Sequence, residues 1–162
     1  MNKMIPYVVT VLIMLALVAF SSRCFAYEVY GGVKPALEPE LDVNKLLESI
    51  RSVEDWMPYQ YGARGERGPY QMLPSVWREY SRYNMEFYAD RTDEKSKAEV
   101  YRVARAHALW ILERIDHLGM PMTARSFGLM WTAGYRACRD KTTTKAKRNY
   151  ADRVQNVYDS LK

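Results

Sequence analysis

At 162 residues, with 24 lysines and arginines against 19 aspartates and glutamates and a formal charge of +5, the chain is long enough for one domain with a real core and only mildly basic. Mild basicity alone is little argument for a nucleic-acid partner. Cys138 is the only cysteine after residue 26, and His107 and His117 stand ten positions apart in one helical segment, so no disulfide framework, no metal-ligand spacing and no cofactor motif is present.

Asn2 and Lys3 precede an apolar run from Ile5 to Phe20, which is followed by Ser21-Ser22-Arg23-Cys24-Phe25-Ala26. A positive start, a hydrophobic stretch and a small residue before a polar segment describe a signal peptide over residues 1–26, cut after Ala26. The rival reading is an uncleaved anchor over residues 5–20, near the short end of the ~17–25 residues that span a bilayer. Both readings export the working part, to the periplasm or beyond, and only the second makes the membrane a partner. Loss of residues 1–26 removes Lys3 and Arg23 and leaves a small positive excess, weak support for an anionic partner such as a cell-wall polymer.

Residues 27–41 hold Gly31-Gly32, Pro35 and Pro39 without periodicity and read as an extended leader. The folded domain is expected over residues 42–162. Asp42 suits an N-cap, and Leu46, Leu47, Ile50 and Val53 recur at helical spacing behind it. Glu54 follows Ile50 by four residues and shares that inward face, whereas Asp55 turns about 100° away. The helix is expected to stop near Pro58. Tyr59 to Tyr70 contains Gly62, Gly65 and Gly68 and reads as a loop whose turns need positive φ or close backbone approach. Pro74 suits the first turn of a second helix, with Val76, Trp77, Tyr80, Tyr83 or Asn84, and Phe87 on one stripe.

Asp90 to Ser96 is a polar link. A long helix is expected from about Lys97 to Leu118, buried along Val100, Val103, Ala104, His107, Trp110, Ile111 and Ile115 and stopped by Gly119 and Pro121. Thr123 caps a segment from Ala124 to about Gly134, in which Phe127, Met130 and Trp131 face one side. Arg136 to Thr144 reads as a loop with a solvated basic run. Thr144 caps a last helix with Tyr150, Val154, Val157, Tyr158 and Leu161 on one face. No strand pattern and no internal repeat emerges, so the fold class is all-α.

Glu54 is the residue with the clearest chemistry. A lone carboxyl at the end of a buried helix face, beside a glycine-rich turn that a polymer can approach, suits general acid work, and burial there raises its pKa. Glu66 lies twelve residues on, in the loop beside the same cleft; it is either a second carboxylate or an ion-pair partner of Arg64 or Arg67. Trp56, Tyr59, Tyr61 and Tyr70 surround the expected cleft, with Trp56 and Tyr70 suited equally to the cleft and to the core. Trp77, Trp110, Phe87 and Phe127 sit at core spacing, and His107 reads as a hydrogen-bonded core histidine.

Four segments in order, Ser49-Ile50-Arg51-Ser52-Val53-Glu54, Gly65-Glu66-Arg67-Gly68-Pro69-Tyr70-Gln71, Trp131-Thr132-Ala133-Gly134 and Asn149-Tyr150-Ala151-Asp152-Arg153-Val154, give the chain its family likeness. It resembles the lytic transglycosylase branch of the lysozyme-like superfamily. The resemblance implies a lysozyme-like helical domain around a substrate cleft, cleaving peptidoglycan glycan strands without a cofactor or metal. It puts the single catalytic glutamate at Glu54 and the cleft glutamine at Gln71. The family's Tyr-Asn-Ala-Gly segment falls on Trp131-Thr132-Ala133-Gly134, so the tyrosine whose hydroxyl often contacts the catalytic glutamate is replaced by Trp131, and the asparagine by Thr132. Tyr70, Gln71, Trp131, Thr132 and Glu66 are the expected substrate contacts. An envelope or secretion-machine protein is a family-level expectation for a partner. The rival functions are a hydrolytic lysozyme using Glu54 with Glu66, and a non-catalytic module binding glycan or a secretion partner.

Overall fold

A computed structural model describes residues 41–54 and 61–162. The expected signal, the anchor, most of the leader, and Asp55, Trp56, Pro58 and Tyr59 lie outside the described residues. Within them the protein is all-α, with helices α1 (Val43–Glu54), α2 (Pro74–Tyr80), α3 (Met85–Tyr88), α4 (Glu94–His117), α5 (Ala124–Ala133), α6 (Tyr135–Arg139) and α7 (Lys145–Ser160). One isolated antiparallel bridge joins Arg67 and Met72. No described helix is long and apolar enough to cross a membrane.

The core follows the apolar stripes. Leu46, Leu47, Ile50 and Val53 of α1 meet Val103, Ala104 and Ile111 of α4, Phe127 and Met130 of α5, and Val154 of α7 in one buried cluster. Burial of such side chains stabilises by roughly 1.5–3 kcal/mol each. Helices start where small polar caps occupy orphan N–H groups. Asp42 Oδ1 accepts from Asn44 N at 2.8 Å, Thr123 Oγ1 from Ser126 N at 3.1 Å, and Thr144 Oγ1 from Lys147 N at 3.4 Å. Gly119, at φ 60°, follows the end of α4.

Three expectations about elements are corrected. The second helix does not run on to Phe87: it ends at Tyr80, the chain is extended at Ser81 (φ −133°, ψ 137°), and Asn84 caps the separate turn α3 by accepting from Glu86 N at 2.8 Å. Restarting there buries Met85 and Tyr88 and leaves Phe87 55% exposed, with the Arg91 guanidinium over its ring. The long helix begins at Glu94, because Asp93 is a better cap than the polar link suggests: its carboxylate accepts from both Ser96 N and Ser96 Oγ. The expected loop from Arg136 begins as the short helix α6, entered through Gly134 at φ 81°. Cys138 is half-buried there, and burial pushes its thiol pKa up, away from reactivity.

Candidate active site

The end of α1 and the start of α7 meet at Glu54. Tyr150 and Arg153, one turn apart on α7, grip the last turn of α1 together: Tyr150 Oη donates to Glu54 Oε1 at 2.6 Å, and Arg153 Nη2 donates to the Val53 carbonyl at 2.9 Å. The half-buried Glu54 carboxyl has a raised pKa because burial penalises its charge. The Tyr150 hydrogen bond and the Arg153 charge oppose that rise, and the neighbouring Glu66 charge adds to it. Tyr150 is held far above the ordinary phenol value, by burial first and then by the Glu54 charge, so it remains a donor throughout the working pH range.

Glu54 opens onto a cavity of about 290 Å³, whose other wall is the glycine-rich loop. Backbone constraints shape that loop. Gly65 and Gly68 take positive φ of 79° and 74°, and a Cβ on Gly68 would lie 2.8 Å from the Ala89 carbonyl oxygen. Arg67 and Met72 exchange both backbone hydrogen bonds, at 3.1 and 3.0 Å, and the Arg67 side chain pairs with Asp90 at 2.9 Å. Gln71 itself sits at φ 45° and donates from Nε2 to the Gly68 carbonyl at 3.1 Å, bracing the turn while lining the cavity.

Glu66 lines the same cavity, and its surroundings favour the opposite protonation state. Its carboxylate accepts from Arg64 N and Arg64 Nε, each at 2.8 Å, and its side chain is 13% exposed. Burial alone would raise its pKa; the backbone N–H groups of Glu66 and Arg64 and the Arg64 guanidinium outweigh burial and bring it below the ordinary value. Gly62 permits this, since a Cβ there would lie 2.3 Å from Glu66 Oε2. One cavity thus holds a carboxyl biased to keep its proton and another biased to lose it. Such divergence is a common signature of acid–base sites.

Trp131 and Thr132, at the C-terminal end of α5, lie on the cavity wall. Tyr70 does not: it is 8% exposed, packs into the core, and borders a separate surface groove beside Glu48 and Tyr101. The alternation of the tight turn at 68–71 sends Gln71 to the cavity and Tyr70 inward. Tyr61 also stays outside, under the Arg67 guanidinium 4.3 Å from its ring centroid. Periodicity understates two residues. Tyr150 reads as helix packing but supplies the hydroxyl to Glu54. His107 reads as a hydrogen-bonded core residue, yet it lines the cavity and its Nδ1 is buried without a partner. Burial takes the His107 pKa down to about 4.

A second cavity of about 210 Å³ adjoins the first along Trp131, Thr132 and His107 and continues to Trp110 and Tyr135. Together they form a groove between the middle of α4 and the C-terminal end of α5. Among the described residues no cluster of histidine, cysteine, aspartate and glutamate suited to a metal ion is found. Comparison of the chain with protein-family models, with curated proteins and with solved structures matched none of them.

Proposed function

We propose that the protein is an exported, lysozyme-like lytic transglycosylase that cleaves the β-1,4 bond of peptidoglycan strands by a one-acid route. The observation that carries this reading is the half-buried Glu54 carboxyl, raised in pKa and oriented by the Tyr150 hydroxyl, at the wall of a groove. Cleaving a glycosidic bond requires a proton for the leaving oxygen while positive charge develops at the sugar carbon. With Oε1 taken by Tyr150, Glu54 carries that proton on Oε2 and passes it to the bridging oxygen as the C1–O bond breaks. The substrate's own acetamido oxygen stabilises C1. The muramyl 6-hydroxyl then attacks C1 and returns its proton to Glu54, leaving a 1,6-anhydro end and a regenerated acid.

The chain's departure from the family pattern at Trp131 finds its counterpart on α7, where Tyr150 supplies a hydroxyl to the glutamate. A hydrolytic lysozyme is the second reading, because Glu66 brings an ionised carboxylate to the same cavity. Its bonds to Arg64 disfavour it as a base or nucleophile, since attack or proton uptake would forfeit them.

The test is digestion of purified peptidoglycan by the full chain and by Glu54→Gln, with products read by mass. Muropeptides lighter than the hydrolysis products by one water, absent with Glu54→Gln, support transglycosylation. Reducing ends instead support the hydrolytic reading, and unaltered peptidoglycan with the wild type sinks both.

A further inference from the structure

His107 has no part in the proton transfers above, yet it occupies the seam of the groove and lines both cavities. Its ring stacks on Trp110, with centroids 5.7 Å and planes 12° apart, and leans against Trp131 at 5.2 Å and Tyr80 at 6.1 Å. These contacts fix the ring between aromatic neighbours, so its orientation is set before any ligand arrives. Burial keeps it neutral at working pH, with one proton for two nitrogens. Nδ1 is buried with no acceptor to receive a hydrogen bond. That nitrogen has no donor beside it either, but a buried N–H without a partner is less tolerated than a buried lone pair, so the proton belongs on Nε2, the ring nitrogen that is not enclosed.

The groove therefore presents a fixed, uncharged N–H beside the indole of Trp131. An acetamido group matches that pair of surfaces: its carbonyl accepts the hydrogen bond and its methyl covers an apolar ring. A plain hydroxyl offers only the first of these. We propose that His107 is a specificity-determining residue, whose Nε2–H binds the acetamido carbonyl of an N-acetyl sugar while Trp131 takes the methyl. This rests on the groove being a glycan site, as inferred above, and assigns the group that selects N-acetylated strands over unacetylated ones.

The experiment uses the full-length Glu54→Gln protein, which binds without cleaving, titrated with a tetramer of N-acetylglucosamine and with the β-1,4 glucose tetramer. Glu54→Gln is expected to prefer the acetylated tetramer. Adding His107→Phe, which keeps an aromatic ring but has no N–H, should weaken binding of that tetramer about tenfold and weaken the glucose tetramer less, so that the preference shrinks. His107→Gln, with an amide donor, should restore part of the preference. Nitrogen-15 NMR of the unsubstituted His107 ring, which needs no variant at that position, should show the Nε2-protonated form and a shift of that N–H on adding the acetylated tetramer. Preference that survives His107→Phe, or a ring protonated on Nδ1, overturns the role of His107 while the glycan reading stands. Failure to bind either tetramer, together with a wild-type chain that leaves peptidoglycan uncut, overturns both.

Discussion

Two glycines hold the two walls of the groove, and they do so by different means. Gly128 lies where α5 crosses α7; a Cβ there would meet Val154 Cβ at 2.8 Å and Cγ2 at 2.9 Å, with Val154 itself fully buried. Gly62 lies in the loop, where a Cβ would meet the Glu66 carboxylate at 2.3 Å. At the first, the close approach sets how near α7 lies to the rest of the core, and hence the packing that carries Tyr150. At the second, it sets where a charge sits. The helical wall is a matter of packing, the loop wall of backbone geometry and ion pairing, and perturbing each should leave a different signature.

The largest effect belongs to the residue between the walls. Glu54→Gln should lower glycan cleavage by about 10²–10⁴-fold, the range for loss of a general acid. It should also raise stability at neutral pH. Because the folded-state pKa of Glu54 lies above its unfolded value, its stabilising share is complete below the unfolded value and is lost as pH rises through the folded one. Glutamine never ionises, so its melting temperature should exceed that of wild type by about 2–5 °C at neutral pH. The gain should vanish in acid, as a pH series of thermal melts will show. Equal melting curves at every pH would remove the argument for a destabilised carboxyl.

Gly128→Ala comes next and probes the helical wall. Overpacking against the β-branched Val154 costs about 1–3 kcal/mol; better helix propensity returns up to about 1 kcal/mol. Net destabilisation of about 1–2 kcal/mol is expected by denaturant unfolding. Gly62→Ala probes the loop wall: its Cβ would lie 2.3 Å from Glu66 Oε2 and 2.8 Å from Glu66 Cβ, so the Glu66 side chain must leave Arg64. A destabilisation of about 1–2 kcal/mol is expected, together with a shift of the pH–rate profile that Gly128→Ala lacks.

Much of the helical wall was legible from residue order, and less of the site. The spacing of Ile50, Val53 and Glu54, together with Asp42, Thr123 and Thr144 as caps, specifies local geometry, which is what periodicity and caps report. Tyr150 escaped because its stripe tells which face of α7 is inward, not that Glu54, 96 residues earlier, lies opposite. The same limit applied to His107, whose apolar neighbours along α4 conceal that the groove opens between them. Phe87 was misjudged because an uninterrupted stripe hid the local competition from Asn84, whose side chain restarts the helix. At Tyr70 and Gln71 the positive φ of Gln71 decides which side chain faces the cavity, and nothing in the spacing announces a left-handed non-glycine.

Tyr150→Phe tests the contact that joins the walls. The phenol donates to Glu54, and a hydrogen bond of that type to a charged group contributes about 1.5–3 kcal/mol, so turnover should fall about 10–100-fold with little change in substrate affinity. Tyr150 also opposes the rise in the Glu54 pKa. Without it that pKa climbs further, and the alkaline limb of the pH–rate profile, which follows loss of the Glu54 proton, should move to higher pH. A limb that stays in place would mean that the rate is governed by a group other than Glu54.

Glu66→Gln should have the smallest effect and the opposite sign. The Glu66 charge raises the Glu54 pKa, so neutralising it lets Glu54 ionise more easily and moves the alkaline limb to lower pH. The Arg64 pair is partly exposed, with the arginine side chain 65% open, and its loss costs less than about 1 kcal/mol of stability. In the one-acid route Glu66 neither gives nor takes a proton, so the maximal rate at the shifted optimum should hold within a few-fold. A hydrolase that relied on Glu66 as base or nucleophile would instead lose about 10²-fold or more at every pH. Opposite displacements for Tyr150→Phe and Glu66→Gln, measured on one peptidoglycan substrate, would make Glu54 the group both walls act upon; displacement in the same direction would break that assignment.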